Sequence, residues 1–169
     1  LQYKKEKNKK ALIKIDGILH ANKDIFFNEV SLIENDNSIF IKDLNLNNKF
    51  KISGISLLEF DYKNYNKIYN QIYFKKNKNY YTLEGSSFDA SKIIDEIMDG
   101  NNDDSSIFSN LNSKINLKIK KTYIDDLYFI NNLTGKINYK DNKISNLNLE
   151  SVFSNNKKLK LSIKTNKKN

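Results

Sequence analysis

Apolar and polar residues alternate one for one along most of this chain, and a period of two is the signature of half-buried β-strands. Ala11, Ile13, Ile15 and Leu19 alternate with Lys14, Asp16 and His20. A second run spans about Ile25 to Ile33, with Phe26, Val30 and Leu32 on one face. A third sets Phe40, Leu44 and Leu46 opposite Asp43 and Asn45. In the fourth, Phe50, Ile52, Gly54, Leu58, Phe60 and Tyr62 share a face against Lys51, Glu59 and Asp61. Ile68, Ile72 and Phe74 follow, then Tyr81 and Leu83. Asn35-Asp36-Asn37 and Lys76-Asn77-Lys78-Asn79 break the runs and are expected to turn the chain.

One segment departs from this period. Ala90, Ile93, Ile94, Ile97 and Met98 recur at helical spacing, with Asp89, Lys92, Asp95 and Glu96 on the other face. The spacing predicts a short helix over Phe88 to Asp99. Ser87 or Asp89 is placed to cap its start and Gly100 to follow its last turn. Asn101 to Ser106 is a polar loop.

The last third repeats the strand pattern. Leu111, Ile115, Leu117 and Ile119 alternate with Asn112, Lys114, Asn116, Lys118 and Lys120. Leu127, Phe129, Leu133, Ile137 and Tyr139 form the next stripe, with Gly135 marking a bulge or bend. Asp141-Asn142 suits a hairpin turn, Leu147, Leu149 and Phe153 come next, and Asn155-Asn156 turns the chain again. Leu159, Leu161 and Ile163 close the series. Consecutive strands with short turns make an antiparallel meander, whereas a parallel sheet needs crossover helices, and only one helix is available. The chain is therefore expected to be mainly β with one short helix near 88–99. It divides into a lysine-rich lead-in (1–10), a first meander (11–85), the helix and polar loop (86–106), a second meander (107–165) on the same or a stacked sheet, and a tail (166–169).

Such strands pose a physical problem. About fourteen large apolar side chains share one face of the second meander, each worth roughly 1.5–3 kcal/mol when buried. Left in water they form a patch far larger than monomers carry. Three covers are open: a sandwich with the first meander, closure into a barrel, or an open groove that holds an apolar ligand.

Composition limits the alternatives. The 169 residues suit one domain or a segment of a larger repetitive protein, and a chain that starts at Leu1 is expected to be a piece of something longer. The net charge is +9 and every basic residue is Lys. The 28 Asn, 22 Ile and abundant Lys share AT-rich codons, so the charge reports base composition as much as function. With no Arg, the bidentate side chain of most DNA readers is missing. Tyr62, Tyr65, Tyr69, Tyr73, Tyr80 and Tyr81, interleaved with lysines, fit a single-strand stacking surface, but they fit cross-strand pairs as well, and no nucleic-acid partner is expected. Zero Cys excludes disulfides and thiolate metal sites.

No catalytic constellation emerges, and the chain is not expected to be an enzyme or to carry a cofactor or metal. His20 is the only histidine and sits at a strand end. Asp99, Asn101, Asp103 and Asp104 crowd together, but an EF-hand loop needs Gly where Asp104 stands and a closing Glu where Asn110 stands. Asp125-Asp126 is a paired carboxylate in a turn-like position, as a turn between strands would be.

From Gly85 onward the spacing resembles a known family. Gly85-Ser86-Ser87-Phe88-Asp89-Ala90-Ser91 leads into the helix, a loop and Leu-x-x-x-Ile-x-Leu-x-Ile. Leu133-Thr134-Gly135-Lys136-Ile137 and Ile144-Ser145-Asn146-Leu147-Asn148-Leu149 follow. This looks like the C-terminal part of the AsmA-like bacterial envelope proteins, the group that includes the TamB and YhdP relatives. The resemblance covers about half the chain and consists of Leu, Ile and Gly spacings. It implies an elongated, curved antiparallel meander of the repeating β-groove type. It also implies a periplasmic protein anchored in the inner membrane by a helix outside this sequence, serving phospholipid transport or outer-membrane biogenesis. Its partners would be phospholipid acyl chains and, through the rest of the protein, the inner and outer membranes. The implied groove lining is Ile115, Leu117, Ile119, Leu127, Phe129, Leu133, Ile137, Leu147, Leu149, Leu159, Leu161 and Ile163. The rival expectation is a structural or adhesive β-sandwich with a self-packed core.

Overall fold

The computed structural model describes residues 5, 7–19, 24–98, 112–125, 127–140 and 143–165. His20, the Asp99–Asp104 cluster, Asp126, the Asp141-Asn142 turn and the 166–169 tail lie outside the described residues, as does half of the lead-in.

All strands belong to one mainly antiparallel, open sheet. Its eleven strands are β1 (Leu12–Leu19), β2 (Ile25–Glu34), β3 (Asn37–Leu46), β4 (Ile52–Gly54), β5 (Leu57–Lys63), β6 (Tyr69–Lys76), β7 (Tyr81–Asp89), β8 (Ser113–Tyr123), β9 (Phe129–Lys140), β10 (Lys143–Phe153) and β11 (Lys158–Lys164). They lie side by side in chain order, except that the short β4 pairs with β3 off the main path. The two terminal strands do not pair with each other, so the sheet is not a barrel, and the second meander continues the first sheet instead of stacking on it as a separate one. Asparagines make the turns. Asn35 takes φ 51° between β2 and β3, and Asn156 takes φ 63° between β10 and β11, a left-handed conformation that Asn tolerates better than most residues.

Every neighbouring pair is antiparallel except one: β7 and β8 run parallel, with Tyr81 opposite Ile115 and Asp89 opposite Tyr123. The one helix among the described residues, α1 (Ser91–Met98), lies in the connection between them, as a parallel pair demands. The sheet is mostly antiparallel, as expected, and this pair is its one parallel seam. The seam also moves the helix start from Phe88 to Ser91, because Phe88 and Asp89 are spent on the ladder with Thr122 and Tyr123. Of the two candidate caps, Ser87 is a strand residue. Asp89 serves the helix: its Oδ1 accepts the Ser91 N–H at 3.1 Å and the Ser91 hydroxyl at 2.6 Å.

Three further departures have local causes. The fourth run is two strands, β4 and β5, broken at Ile55 and Ser56, where Ile55 is buried and the Ser56 N–H donates to the Lys42 carbonyl; Phe50, ahead of both, is exposed at φ 58° in a turn whose Lys49 and Lys51 N–H groups the Asn47 side-chain carbonyl accepts. In β3 the core face belongs to Ile39 and Ile41; Phe40 faces away, and Asp43 at φ 50° then switches the alternation so that Leu44 returns to the core. The widest irregularity crosses three strands. Ser86 is an extra residue of β7 relative to β6, and β9 carries an extra residue relative to β10 near Asn132, which has φ 52°. The strand between them skips a pairing at Lys120 on both sides. A bulge row of this kind inverts which residues face inward beyond it. Gly135, the suspected bulge, sits instead in the regular ladder, where β10 crowds it. A Cβ there would lie 2.1 Å from the Asn148 carbonyl oxygen.

Candidate functional site

The registers join the strands into continuous rows. One row runs Ile15, Val30, Ile41, Leu58, Phe74, Leu83, Leu117, Gly135, Leu149 and Leu161, so every member is apolar or glycine. A parallel row runs Ile13, Leu32, Ile39, Phe60, Ile72, Gly85, Ile119 and Leu133. On the opposite face the matching row reads Lys14, Ser31, Phe40, Glu59, Tyr73, Glu84, Lys118, Thr134, Glu150 and Lys160. One side of the sheet is thus an apolar band crossing the main strand path, and the other is charged and polar.

Burial is graded along that band. At its middle Ile119 is 1% exposed, with Leu58, Phe60, Ile72, Phe74, Leu133 and Leu147 also buried. Ile55, between β4 and β5, joins the same core. At its two ends Ile15 is 63% exposed and Leu161 45% exposed. The centre is therefore covered already, and the flanks are the accessible part.

The sequence-derived lining divides accordingly. Ile119, Leu133 and Leu147 are on the band but buried. Ile115, Leu117, Leu149 and Leu159 pack against the core while partly exposed, and Ile137 is half-buried beside Ile115 and Leu147. Leu161 and Ile163 are exposed on β11. Two residues are elsewhere. Leu127 is 81% exposed in the turn after β8, outside any strand. Phe129 lies on the polar face, where the Lys121 ammonium sits 4.0 Å from its ring centroid. The bulge row puts Ile130 on the apolar face in its place, opposite the buried Thr122. Because 127–130 is one unbroken apolar run, its phase was illegible; only the excess of apolar residues hinted that one belonged to the core.

Several polar side chains among the described residues have structural duties. Asn70, 1% exposed, accepts the Asp89 N–H at 2.8 Å and donates to the Ile68 carbonyl at 3.1 Å. Asn64 donates to the Asp89 carboxylate and accepts the Ile68 N–H. These bonds tie the β5–β6 turn to the start of α1. Asp125 accepts the Leu127 and Tyr128 N–H groups, the task of a turn residue. The tyrosines do not share a surface: Tyr62 and Tyr81 are buried, whereas Tyr65, Tyr69, Tyr73 and Tyr80 are exposed. Hydrogen bonding to the Asp61 carboxylate, with some burial, raises the Tyr69 phenol above its usual 10.0. Burial raises Tyr81. Among the described residues no helix is long and apolar enough to cross a membrane, which leaves strand-borne contact untouched.

Comparison with protein-family models, with curated proteins and with solved structures finds no match to this chain.

Proposed function

We propose that this chain is a non-enzymatic segment of an AsmA-like periplasmic protein, and that its apolar sheet face shields lipid acyl chains during phospholipid transport or outer-membrane biogenesis. The observation that carries the reading is the row from Ile15 to Leu161, all apolar apart from Gly135, set against a row on the opposite face that is mostly charged or polar. Acyl chains leave water for such a surface at about 0.8 kcal/mol per buried methylene, while headgroups stay outside. The buried centre restricts first contact to the flanks, of which β11, with Leu161 and Ile163, belongs to the implied lining.

The test is phospholipid co-purification. Protein produced with access to a bacterial envelope is extracted and its lipid measured by mass spectrometry, beside the Leu161→Asp/Ile163→Asp double variant. Both positions are exposed, so circular dichroism should stay unchanged while lipid falls severalfold. Absence of lipid from the parent protein, or equal lipid in a folded variant, refutes the proposal. The burial of Ile119, Leu133 and Leu147 favours a second reading, a structural or adhesive module whose apolar face is its own core. That reading expects no lipid in either sample.

A further inference from the structure

The first strand is built unlike a protected sheet edge. Among the described residues β1 pairs with β2 alone, and Leu12, Ile13, Ile15, Ile18 and Leu19 all stand exposed along it. An exposed apolar edge is a template for another strand. The far edge, β11, is blunted: Lys158, Lys160 and Lys164 share its polar side. Pairing two β11 strands antiparallel about Leu161 would set Lys158 against Lys164 of the other copy, a like-charge pair.

The β1 sequence behaves in the opposite way. Two copies laid antiparallel about Ile15 place Lys14 opposite Asp16 of the second copy, and Asp16 opposite its Lys14. On the same face Leu12 meets Ile18, and on the other Ile15 meets itself while Ile13 meets Gly17, which has no side chain to obstruct it. Within one copy Asp16 lies directly opposite Glu29, an unfavourable carboxylate pair. The Lys14 ammonium bonds Glu29 at 2.9 Å and also feels the charge of Asp16, which accepts the Asn28 amide at 3.1 Å. A second Lys14 would set a further cation directly opposite Asp16.

We propose that β1 is a homodimer interface in which two copies pair antiparallel on a twofold axis through Ile15. Opposed residues of an antiparallel pair point to the same side, so the apolar row continues from Ile15 of one copy into Ile15 of the next. The two sheets become one, with their apolar bands joined. This inference does not depend on lipid binding.

The chain has no cysteine, which makes single-thiol crosslinking clean. On the axis, Ile15→Cys places two thiols across a pair whose Cα separation of about 4.5–5.5 Å suits a disulfide. Ile13→Cys thiols would be about 13 Å apart along the strands. Under mild oxidation Ile15→Cys should give covalent dimer and Ile13→Cys should not. In sedimentation equilibrium, Lys14→Asp and Asp16→Lys should each weaken dimerisation about tenfold, and the double swap should restore it. A chain that stays monomeric at high concentration, equal crosslinking at both positions, or a double swap as weak as the single variants overturns the proposal.

Discussion

Replacing Ile130 by Asn and, separately, Phe129 by Asn tests the bulge row, because the two neighbours exchange faces there. Ile130 is 6% exposed on the apolar face, opposite Thr122. Its replacement forfeits the burial of an aliphatic side chain, about 1.5–3 kcal/mol, and strands an amide among apolar neighbours at about 1–3 kcal/mol more. The expected loss is roughly 3–6 kcal/mol, a large part of the whole stability of a typical domain. Phe129 is half-buried on the polar face, packed with Tyr123 and under Lys121. Its replacement removes a cation–π contact of about 0.5–1 kcal/mol and part of the ring packing, for a total of about 1–2 kcal/mol. Urea unfolding followed by far-ultraviolet circular dichroism reads both. With a slope of about 2 kcal/mol per molar, the Ile130 midpoint should fall below the Phe129 midpoint by about 1 M. A Phe129 variant as damaged as the Ile130 variant would refute the inversion and return Phe129 to the core stripe that simple alternation suggests.

Thr122 is 2% exposed and its hydroxyl has no hydrogen-bond partner among the described residues. Thr122→Val keeps the shape, removes the stranded oxygen and should raise the urea midpoint by about 1 kcal/mol equivalent. Gly135→Ala should lower it by several kcal/mol unless β10 moves, since the new methyl would sit 2.1 Å from a carbonyl oxygen. Tyr81, raised above 10.0 by burial, holds its proton more tightly when folded. Its contribution to stability is complete below the unfolded value and is lost as pH rises through the higher folded one. Chemical unfolding at about pH 9 and about pH 11 should show a fall that is smaller in Tyr81→Phe.

Most strands were legible because alternation is a local property. The faces of β5, β6, β8 and β10 follow from Phe60, Ile72, Ile119 and Leu147, each flanked by residues that carry polar groups. What alternation cannot show is where it slips. Ser86, Lys120 and Asn132 differ in nothing from the polar residues beside them, yet their row moves Phe129 off the apolar face and Ile130 onto it. Asp43 does the same for Phe40 and Leu44. The parallel pairing of β7 and β8 was hidden for another reason: an amphipathic strand presents the same two faces whichever way it runs, so direction depends on the connection. The extent of burial was equally hidden, since Leu161 and Ile119 have similar sequence settings and differ only in how many strands flank them.

That parallel seam also sets the order in which chain entropy must be spent. Nearly every other contact between strands is a hairpin closed over a few residues, whereas Tyr81 meets Ile115 and Asp89 meets Tyr123 across roughly thirty. Two local assemblies, one ending at β7 and one beginning at β8, can therefore form quickly and independently, with their union as the slow, topologically distant event. A destabilised seam would leave each assembly with a raw strand edge, the species most prone to aggregate during refolding.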